Sequence, residues 1–250
     1  MMTEFAPADT RESGSSAVIT GIMNYLQERR LQPGDRLPSE RDLAERLRVG
    51  RNAVREALAT LVTLRMVESR PNSGIYLRHM ERESSFEALV MLADMGATPT
   101  PTEVRETMEV RAHLEKLAAR LACERRDDDD LLRLEGVMAR TEAALAEGAN
   151  IVRLDTEFHM ALVDATHNSV LVRVLNAFYR FTERRREVLF EDREHGRASA
   201  REHKRLLEHV RTRDVHKAEA LILRHMNRAR SYWSSLLGDA GANPRSSTRC

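Results

Sequence analysis

Residues 37–61 read LPSERDLAERLRVGRNAVREALATL and predict two short helices joined by a tight turn. Pro38 ends the segment before the first helix, and Ser39 is a favourable N-cap because its hydroxyl can accept a backbone N–H of the first turn. The second helix begins after the turn at residues 48–50, and its apolar residues recur three and four positions apart. The stretch therefore predicts a helix-turn-helix.

The flanking residues extend this unit to a winged helix-turn-helix. Residues 17–30 have the apolar spacing of an amphipathic helix. Residues 66–78 read MVESRPNSGIYLR, which predicts two short strands around a Pro-Asn-Ser-Gly turn, the only β structure that the sequence predicts. We therefore expect a disordered arm over residues 1–15 and a winged helix-turn-helix domain over residues 16–80.

Arginines cluster on the polar face of the second helix. Arg51 and Arg55 lie four residues apart, where their guanidinium groups suit guanine edges or phosphates in the major groove. The helix-turn-helix region is more basic than acidic, although the whole chain is balanced, with 40 Lys and Arg against 39 Asp and Glu. An ordinary helix pair with a solvated basic face is the alternative. The predicted DNA-binding residues are Arg41, Arg51, Asn52, Arg55, Ser73 and Gly74.

The same residues resemble a known family. LPSERDLAERLRVGRNAVREALATL, followed by a Gly-containing wing, is similar to the DNA-binding domain of GntR-type transcription regulators over roughly residues 17–78. The resemblance implies that Arg41, Arg51, Arg55 and the wing residue Gly74 contact DNA.

Two positions depart from the family pattern. Gly50 stands where the family usually has a Ser or Thr that caps the second helix and touches phosphate. Arg65 stands where a Gly usually ends this helix, so a residue with a side chain must form the C-terminal cap at a cost of about 1 kcal/mol. Neither departure removes the predicted domain.

The rest of the chain is predicted to be helical. Seven helices with short connections predict an all-helical antiparallel bundle, so the fold class is mainly α. We assign residues 81–238 to this effector and dimerisation domain and residues 239–250 to a disordered tail. The run of three arginines at residues 184–186 is predicted to be a solvated face, and His195 a surface group.

The stretch DTEFHMAL, residues 155–162, places two polar side chains beside an apolar helix stripe. Asp155 and His159 are four residues apart and project from the same side of the helix. His203 and His225 lie in similar apolar stripes on two later helices. Burying a carboxylate or an imidazole costs roughly several kcal/mol unless each has a partner.

A divalent cation would pair all four groups at once. Nitrogen and oxygen ligands from facing helices suit zinc first, with nickel, manganese or iron as alternatives. We therefore predict one divalent metal ion per chain, held by Asp155, His159, His203 and His225. A polar, water-filled bundle core is the alternative.

These residues carry a second resemblance. The Asp-x3-His pair and the two later histidines match the ligand spacing of the FCD effector domain, which defines the FadR-type branch of the GntR family, and MEVRAHLEKLAARLA at residues 108–122 also matches. The resemblance implies that Arg111 grips the carboxylate of a small organic acid and that Asn168 orients a metal-bound water or the ligand. An internal ion pair with Glu115 is the alternative partner for Arg111.

Together these patterns predict a ligand-responsive transcription regulator, acting as a repressor, rather than an enzyme. A homodimer would bind a palindromic operator because two-fold symmetry doubles the available base contacts. The main alternative is a metal-dependent enzyme with an accessory DNA-binding module, which turnover of candidate acids would reveal. A third alternative, a constitutive architectural DNA binder, leaves the buried polar cluster unexplained.

The composition indicates the compartment. No apolar run approaches transmembrane length, and the N-terminus lacks a signal-peptide pattern. The two cysteines, Cys123 and Cys250, form no paired framework. We therefore expect a cytoplasmic protein with no membrane partner.

Overall fold

The computed structural model describes the backbone of residues 10–96 and 100–241, and side chains between residues 16 and 232 of these ranges. Backbone contacts divide the chain into two compact units, Met1–Ala97 and Thr98–Cys250. The described residues form eleven helices and one two-stranded sheet, so the predicted mainly α fold class is confirmed.

The first unit contains five helices and both strands of the described residues. They are α1 (Thr10–Glu28), α2 (Glu40–Leu47), α3 (Arg51–Thr63), β1 (Val67–Arg70), β2 (Gly74–Leu77), α4 (Met80–Glu83) and α5 (Phe86–Asp94). The strands pair antiparallel, with Val67 opposite Leu77 and Arg70 opposite Gly74.

Helices α2 and α3 form the predicted helix-turn-helix. The Ser39 hydroxyl accepts the Asp42 backbone N–H at 3.3 Å, which caps α2. Leu43, Leu58 and Leu61 are buried and hold the two helices on a common apolar core. Gly50 caps α3 without a side-chain hydrogen bond, as its sequence implied.

The end of α3 carries the strain that the sequence predicted. Arg65 has a φ of 56°, in the left-handed region that favours glycine. This conformation lets the Met66 N–H donate to the Leu61 carbonyl at 3.0 Å, which closes the helix end. Burial of the next residue offsets this steric cost, since the Met66 side chain is fully buried in the core.

We expect Arg65→Gly to stabilise the first unit by about 1 kcal/mol, because glycine adopts this φ without a Cβ clash. Part of the gain is offset by the larger entropy of glycine in the unfolded chain. Calorimetry should show the unfolding transition of this unit rising by roughly 4–8 °C. Arg65→Ala is the control, because it removes the side chain and keeps the Cβ. An equal rise in both variants would contradict a conformational cause.

Helix α5 packs within the first unit. Ala88 belongs to its buried core, and Met91 and Leu92 pack against that core. The sequence predicted this helix as the first of the bundle, with a domain boundary at residue 80. An apolar face indicates that a helix is buried, but it does not indicate which other helices it packs against.

The chain ends also differ from the sequence prediction. Helix α1 begins at Thr10, although residues 1–15 were predicted to be a disordered arm. The last helix extends through Gly241, although a disordered tail was predicted from residue 239. The remaining parts of the predicted arm and tail, residues 1–9 and 242–250, lie outside the described residues.

The second unit is a helical bundle. Its described helices are α6 (Pro101–Arg125), α7 (Asp128–Ala146), α8 (Val152–Asp164), α9 (Ser169–Leu189), α10 (Arg193–Arg211) and α11 (Val215–Gly241). Helix α8 packs against α6, α7, α9 and α10, so its side chains point into the middle of the bundle. No described helix is both long enough and apolar enough to span a membrane.

Candidate metal centre and nucleic-acid interface

Four side chains from three helices converge inside the bundle. Asp155 and His159 come from α8, His203 from α10 and His225 from α11, and all four are buried. One donor atom of each lies within 4.8 Å of the donor atoms of the other three. The four residues that the sequence predicted as metal ligands therefore lie together.

The histidine spacing suits a metal ion. The Nε2 atom of His159 is 3.2 Å from the Nε2 atoms of both His203 and His225. Two imidazole nitrogens bound to one tetrahedral zinc, each roughly 2.0–2.1 Å from it, are about 3.3 Å apart. The donor set, one carboxylate and three imidazoles, also suits nickel, iron or manganese.

Two glutamates fix which ring nitrogens face the centre. Glu115 Oε2 lies 3.0 Å from His159 Nδ1, and Glu202 Oε2 lies 2.7 Å from His225 Nδ1. Burial would raise the pKa of both carboxyls, but His159 and Arg111 hold the pKa of Glu115 at about 2. His225 and Arg228 likewise hold the pKa of Glu202 at about 2. Both glutamates are therefore ionised acceptors.

Ionised glutamates require each partner Nδ1 to carry a hydrogen. In neutral His159 and His225 the Nε2 atoms then have only lone pairs, and these face one another at 3.2 Å. Burial lowers the pKa of His225, so protonation of this ring, which would place a hydrogen between the two nitrogens, is disfavoured. A bound cation satisfies both lone pairs, and carboxylate-supported histidines are the usual arrangement around metal ions.

Asp155 is also held as an anion. Its Oδ1 accepts the Ser199 hydroxyl at 2.7 Å and its Oδ2 accepts Arg186 Nη2 at 2.5 Å. Burial would raise the pKa of Asp155, but Arg186 and the three histidines hold that pKa well below its usual range. The carboxylate can therefore bind a cation without losing a proton.

A small cavity lies beside the cluster. Its volume is about 30 Å³, room for about two water molecules. Its lining residues include Asp155 and His225 and three arginines, namely Arg111, Arg185 and Arg186. A ligand entering this cavity would therefore meet both the cluster and guanidinium groups.

Arg111 lines the cavity and also forms hydrogen bonds with other side chains of the bundle. Its Nε donates to Glu115 Oε1 at 3.3 Å, and its Nη2 donates to the Tyr179 hydroxyl at 2.6 Å. The Tyr179 hydroxyl donates in turn to Glu115 Oε1. Glu115 thus joins Arg111 through one oxygen to His159 through the other.

The structure places Asn168 away from the cluster. Its side-chain oxygen accepts the Val170 and Leu171 backbone N–H groups, each at 3.1 Å, and caps α9. It does not line the cavity. The role predicted for Asn168 at the metal is therefore wrong, because its carbonyl oxygen is used by the helix N-terminus, where asparagine is favoured.

Two predictions of surface exposure are also wrong. Arg186 is 3% exposed and pairs with Asp155, and Arg185 is partly buried at the cavity. His195 is 7% exposed and also lines the cavity, where burial and Arg228 lower its pKa to about 4. Arg186 falls in the buried stripe of α9 one turn after Thr182, which is the sequence signal for its burial.

The predicted DNA-binding residues of the helix-turn-helix are accessible to solvent. Arg41, Arg51, Asn52 and Arg55 are all exposed. Arg55 Nη2 pairs with Glu40 Oε2 at 3.1 Å, an exposed contact that a DNA phosphate could replace.

The wing residues Ser73 and Gly74 make contacts within the first unit. The Ser73 hydroxyl lies 2.6 Å from the Tyr76 hydroxyl. Gly74 has a φ of 127°, and a Cβ there would meet Arg36 Nε at 2.7 Å. Glycine at this position therefore keeps the exposed Arg36 side chain against the wing, which adds a cation that sequence reasoning missed.

We expect Arg51→Ala to weaken operator binding by roughly 1–3 kcal/mol and to weaken binding to random DNA less, because the residue begins α3 with its side chain exposed. Fluorescence anisotropy with an operator selected from random duplexes, and with a scrambled duplex, measures both. Arg201→Ala, at an exposed position on α10, is the control. Equal losses on the two duplexes would mean that Arg51 contacts only phosphate.

Comparisons with known proteins agree with both units. Residues 15–77 match the model for bacterial regulatory proteins of the gntR family, and residues 106–228 match the model for the FCD domain. The chain is 32% identical over 201 residues to the HTH-type transcriptional regulator LutR of Bacillus subtilis (strain 168), covering 78% of this chain and 90% of that protein.

Two further proteins extend the comparison. The HTH-type transcriptional repressor NanR of Cronobacter sakazakii is 27% identical, with 90% of this chain and 87% of that protein covered. A solved structure of Lar, described as controlling the expression of the Listeria monocytogenes agr system, superposes with a TM-score of 0.60 at 18% identity, covering 94% of this chain and 100% of that chain. At that identity the likeness shows the fold alone.

Proposed function

Because this chain belongs to the GntR family of bacterial regulatory proteins and carries an FCD domain, we propose that this DNA-binding transcription regulator is a repressor that senses a small organic acid at a metal centre. The observation that carries the proposal is the buried convergence of Asp155, His159, His203 and His225, with two imidazole lone pairs facing one another at 3.2 Å. The relatives compared are named as regulators, which favours this function over the metalloenzyme alternative.

The metal ion in this proposal is zinc, one per chain, held by the four convergent residues. When bound, it supplies a Lewis-acidic position for a ligand oxygen. Glu115 and Glu202 orient the rings of His159 and His225 through their Nδ1 atoms, and Ser199 orients Asp155.

Arg111 is the proposed carboxylate receptor. Its guanidinium presents a planar fork of N–H donors at the cavity that adjoins the cluster. In the present structure that fork is occupied by Glu115 and the Tyr179 hydroxyl. An entering carboxylate would exchange with Glu115, and because Glu115 also holds His159, acid binding and metal ligation are coupled through one side chain.

The proposed active form is a homodimer. Helices α6 and α9 pack against one another and expose apolar side chains, with Val110 50%, Leu117 43%, Val170 65% and Val174 40% exposed. Exposed apolar patches of this kind mark association surfaces, and a second copy would cover them. Sedimentation velocity of the full chain tests this, since a monomer at micromolar concentration would contradict it.

DNA binding is the output of the proposed sensor. Two copies would present their α3 helices to the half-sites of a palindromic operator in the cytoplasm. Acid binding would shift the populations of DNA-binding and non-binding arrangements, in proportion to the difference in acid affinity between them.

The experiment that tests the proposed function is an operator-binding titration of the zinc-loaded chain against a panel of small organic acids. We expect at least one acid to change operator affinity, and removal of zinc by a chelator to abolish that change. The acids are recovered and quantified after the titration. Acid consumption would favour the metalloenzyme, and operator binding indifferent to every acid and to zinc would contradict the proposal.

A further inference from the structure

Three arginines line the cavity, but only two of them have a carboxylate partner. Arg111 pairs with Glu115, and Arg186 pairs with Asp155. Within the described part of the chain, the Arg185 guanidinium has neither a hydrogen bond nor an ion pair. It is therefore the cavity cation that remains available to a ligand.

The position of Arg185 is set by its surroundings. Its guanidinium lies over the Phe181 ring, 4.6 Å from the ring centroid, which holds the side chain in one direction. Burial lowers the pKa of Arg185, and the charge of Glu103 opposes this only in part. Glu103 itself accepts the Thr100 backbone N–H at 2.6 Å in a capping box at the start of α6. A partly buried guanidinium without a bonded anion is a favourable site for a ligand anion.

The charges around the cavity call for more than one negative charge on the ligand. Arg111 and Arg186 are each paired with one carboxylate, of Glu115 and Asp155, and Arg185 is opposed by the charge of Glu103, which lies beyond ion-pair distance. A divalent cation in the cluster would add two positive charges beside these groups. A monocarboxylate would balance one of the two charges, and a dianion would balance both.

Arg111 and Arg185 line the same cavity but are held by different rings. The Arg111 guanidinium lies over the Tyr179 ring, 4.3 Å from the ring centroid, and the Arg185 guanidinium lies over the Phe181 ring, 4.6 Å from the ring centroid. Arg185 also lies towards the first turn of α6, where it experiences the charge of Glu103. The two guanidinium groups are therefore separate positions for anionic groups in one cavity.

We propose that the acid recognised at this site is a short dicarboxylate, with its first carboxylate between Arg111 and the metal and its second on Arg185. Because the cavity volume is about 30 Å³, the site must open for an acid to enter, and a short chain between the two carboxylates requires the least opening. This inference rests on the proposed function, because it takes the carboxylate position at Arg111 as given.

The test is isothermal titration of the zinc-loaded full chain with matched acids. Malonate, succinate and glutarate are compared with propionate, butyrate and pentanoate, which have the same carbon counts and one carboxylate less. Arg185→Met removes the charge and keeps an apolar stem over Phe181. Arg184→Met, at the exposed neighbouring position, is the matched control. Zinc content is measured after each titration, so that loss of metal to the acid is detected.

We expect the parent to bind one diacid at least about tenfold more tightly than its matched monoacid. Arg185→Met should remove that preference and leave monoacid binding unchanged, while Arg184→Met should bind both as the parent does. Equal affinities for a diacid and its monoacid in the parent, or equal losses of both in Arg185→Met, would overturn the dicarboxylate inference and leave the site at Arg111 standing. Failure of all six acids to bind the parent would also overturn the dicarboxylate inference, and the operator titration with the wider panel of acids tests the proposed function separately.

Discussion

Replacing His203 by alanine should strip the metal from the bundle and lower its unfolding midpoint by roughly 10 °C. His203 Nε2 lies 3.2 Å from His159 Nε2 and 3.5 Å from Asp155 Oδ1. The variant therefore loses one proposed metal ligand, the one that lies beside both ligands from α8. A ligand present at 1,000 times its Kd stabilises the folded state by about 4 kcal/mol. Each kcal/mol corresponds to roughly 2–4 °C in a domain of this size.

Elemental analysis and calorimetry measure the two effects. Parent protein treated with a chelator should unfold near the temperature of His203→Ala, and the variant should not respond to the chelator. His113→Ala, an exposed histidine on α6, should keep the metal and the parental midpoint. About one metal ion per chain retained in His203→Ala would refute the assignment.

A milder variant keeps the test informative if His203→Ala does not fold. Glu202→Gln leaves all four donors in place and weakens the carboxylate contacts to His225 Nδ1 and to Arg228. We expect its metal affinity to fall by roughly 10- to 100-fold, the usual effect of losing such an outer contact. Unchanged affinity would mean that Glu202 serves only its ion pair with Arg228.

The features that the sequence predicted correctly are local ones. Helical periodicity puts Asp155 and His159 on the same face without any knowledge of the partner helices. Ser39 predicted the start of α2, because an N-cap depends on a few consecutive residues. The family pattern, in which a Gly usually stands at position 65, marked Arg65 as a C-terminal cap with a side chain. The later histidines were found because an imidazole in an apolar stripe is conspicuous.

The features that the sequence missed depend on distant contacts. Arg186 pairs with Asp155, 31 positions away, and a run of three arginines reads as a solvated face until that carboxylate is known to face it. Glu202 belongs to the centre only because α10 and α11 pack together. For Asn168 the error came from the resemblance, which assigned it a role at the metal, whereas its local preference for a helix N-cap agrees with the structure. Helix α5 was assigned to the bundle because an apolar face does not reveal its partner.

Replacing Arg111 by alanine should weaken the response to the acid by about 30- to 1000-fold, while metal and operator binding stay near the parental values. The variant loses a bidentate, charge-assisted contact between the Arg111 guanidinium and the acid's carboxylate, which contributes roughly 2–4 kcal/mol to acid binding. Glu115 keeps His159 Nδ1 at 3.0 Å and the Tyr179 hydroxyl in the variant, so its carboxylate remains paired and the metal ligands stay oriented. The DNA-binding residues lie in the other unit and are unchanged.

The measurement is operator binding as a function of acid concentration for the parent, Arg111→Ala and Arg120→Ala. Arg120 lies on the same helix but is exposed and pairs with Glu219 at 2.6 Å, so its loss controls for removing a guanidinium from α6. If the acid releases DNA, Arg111→Ala will act as a super-repressor that stays bound; if the acid tightens binding, the variant will stay in the weaker state. A variant that responds at the parental acid concentration would show that Arg111 only holds Glu115 and Tyr179 in place. The acid would then have to be recognised by the other cavity cations, since Arg111 would have no part in its affinity.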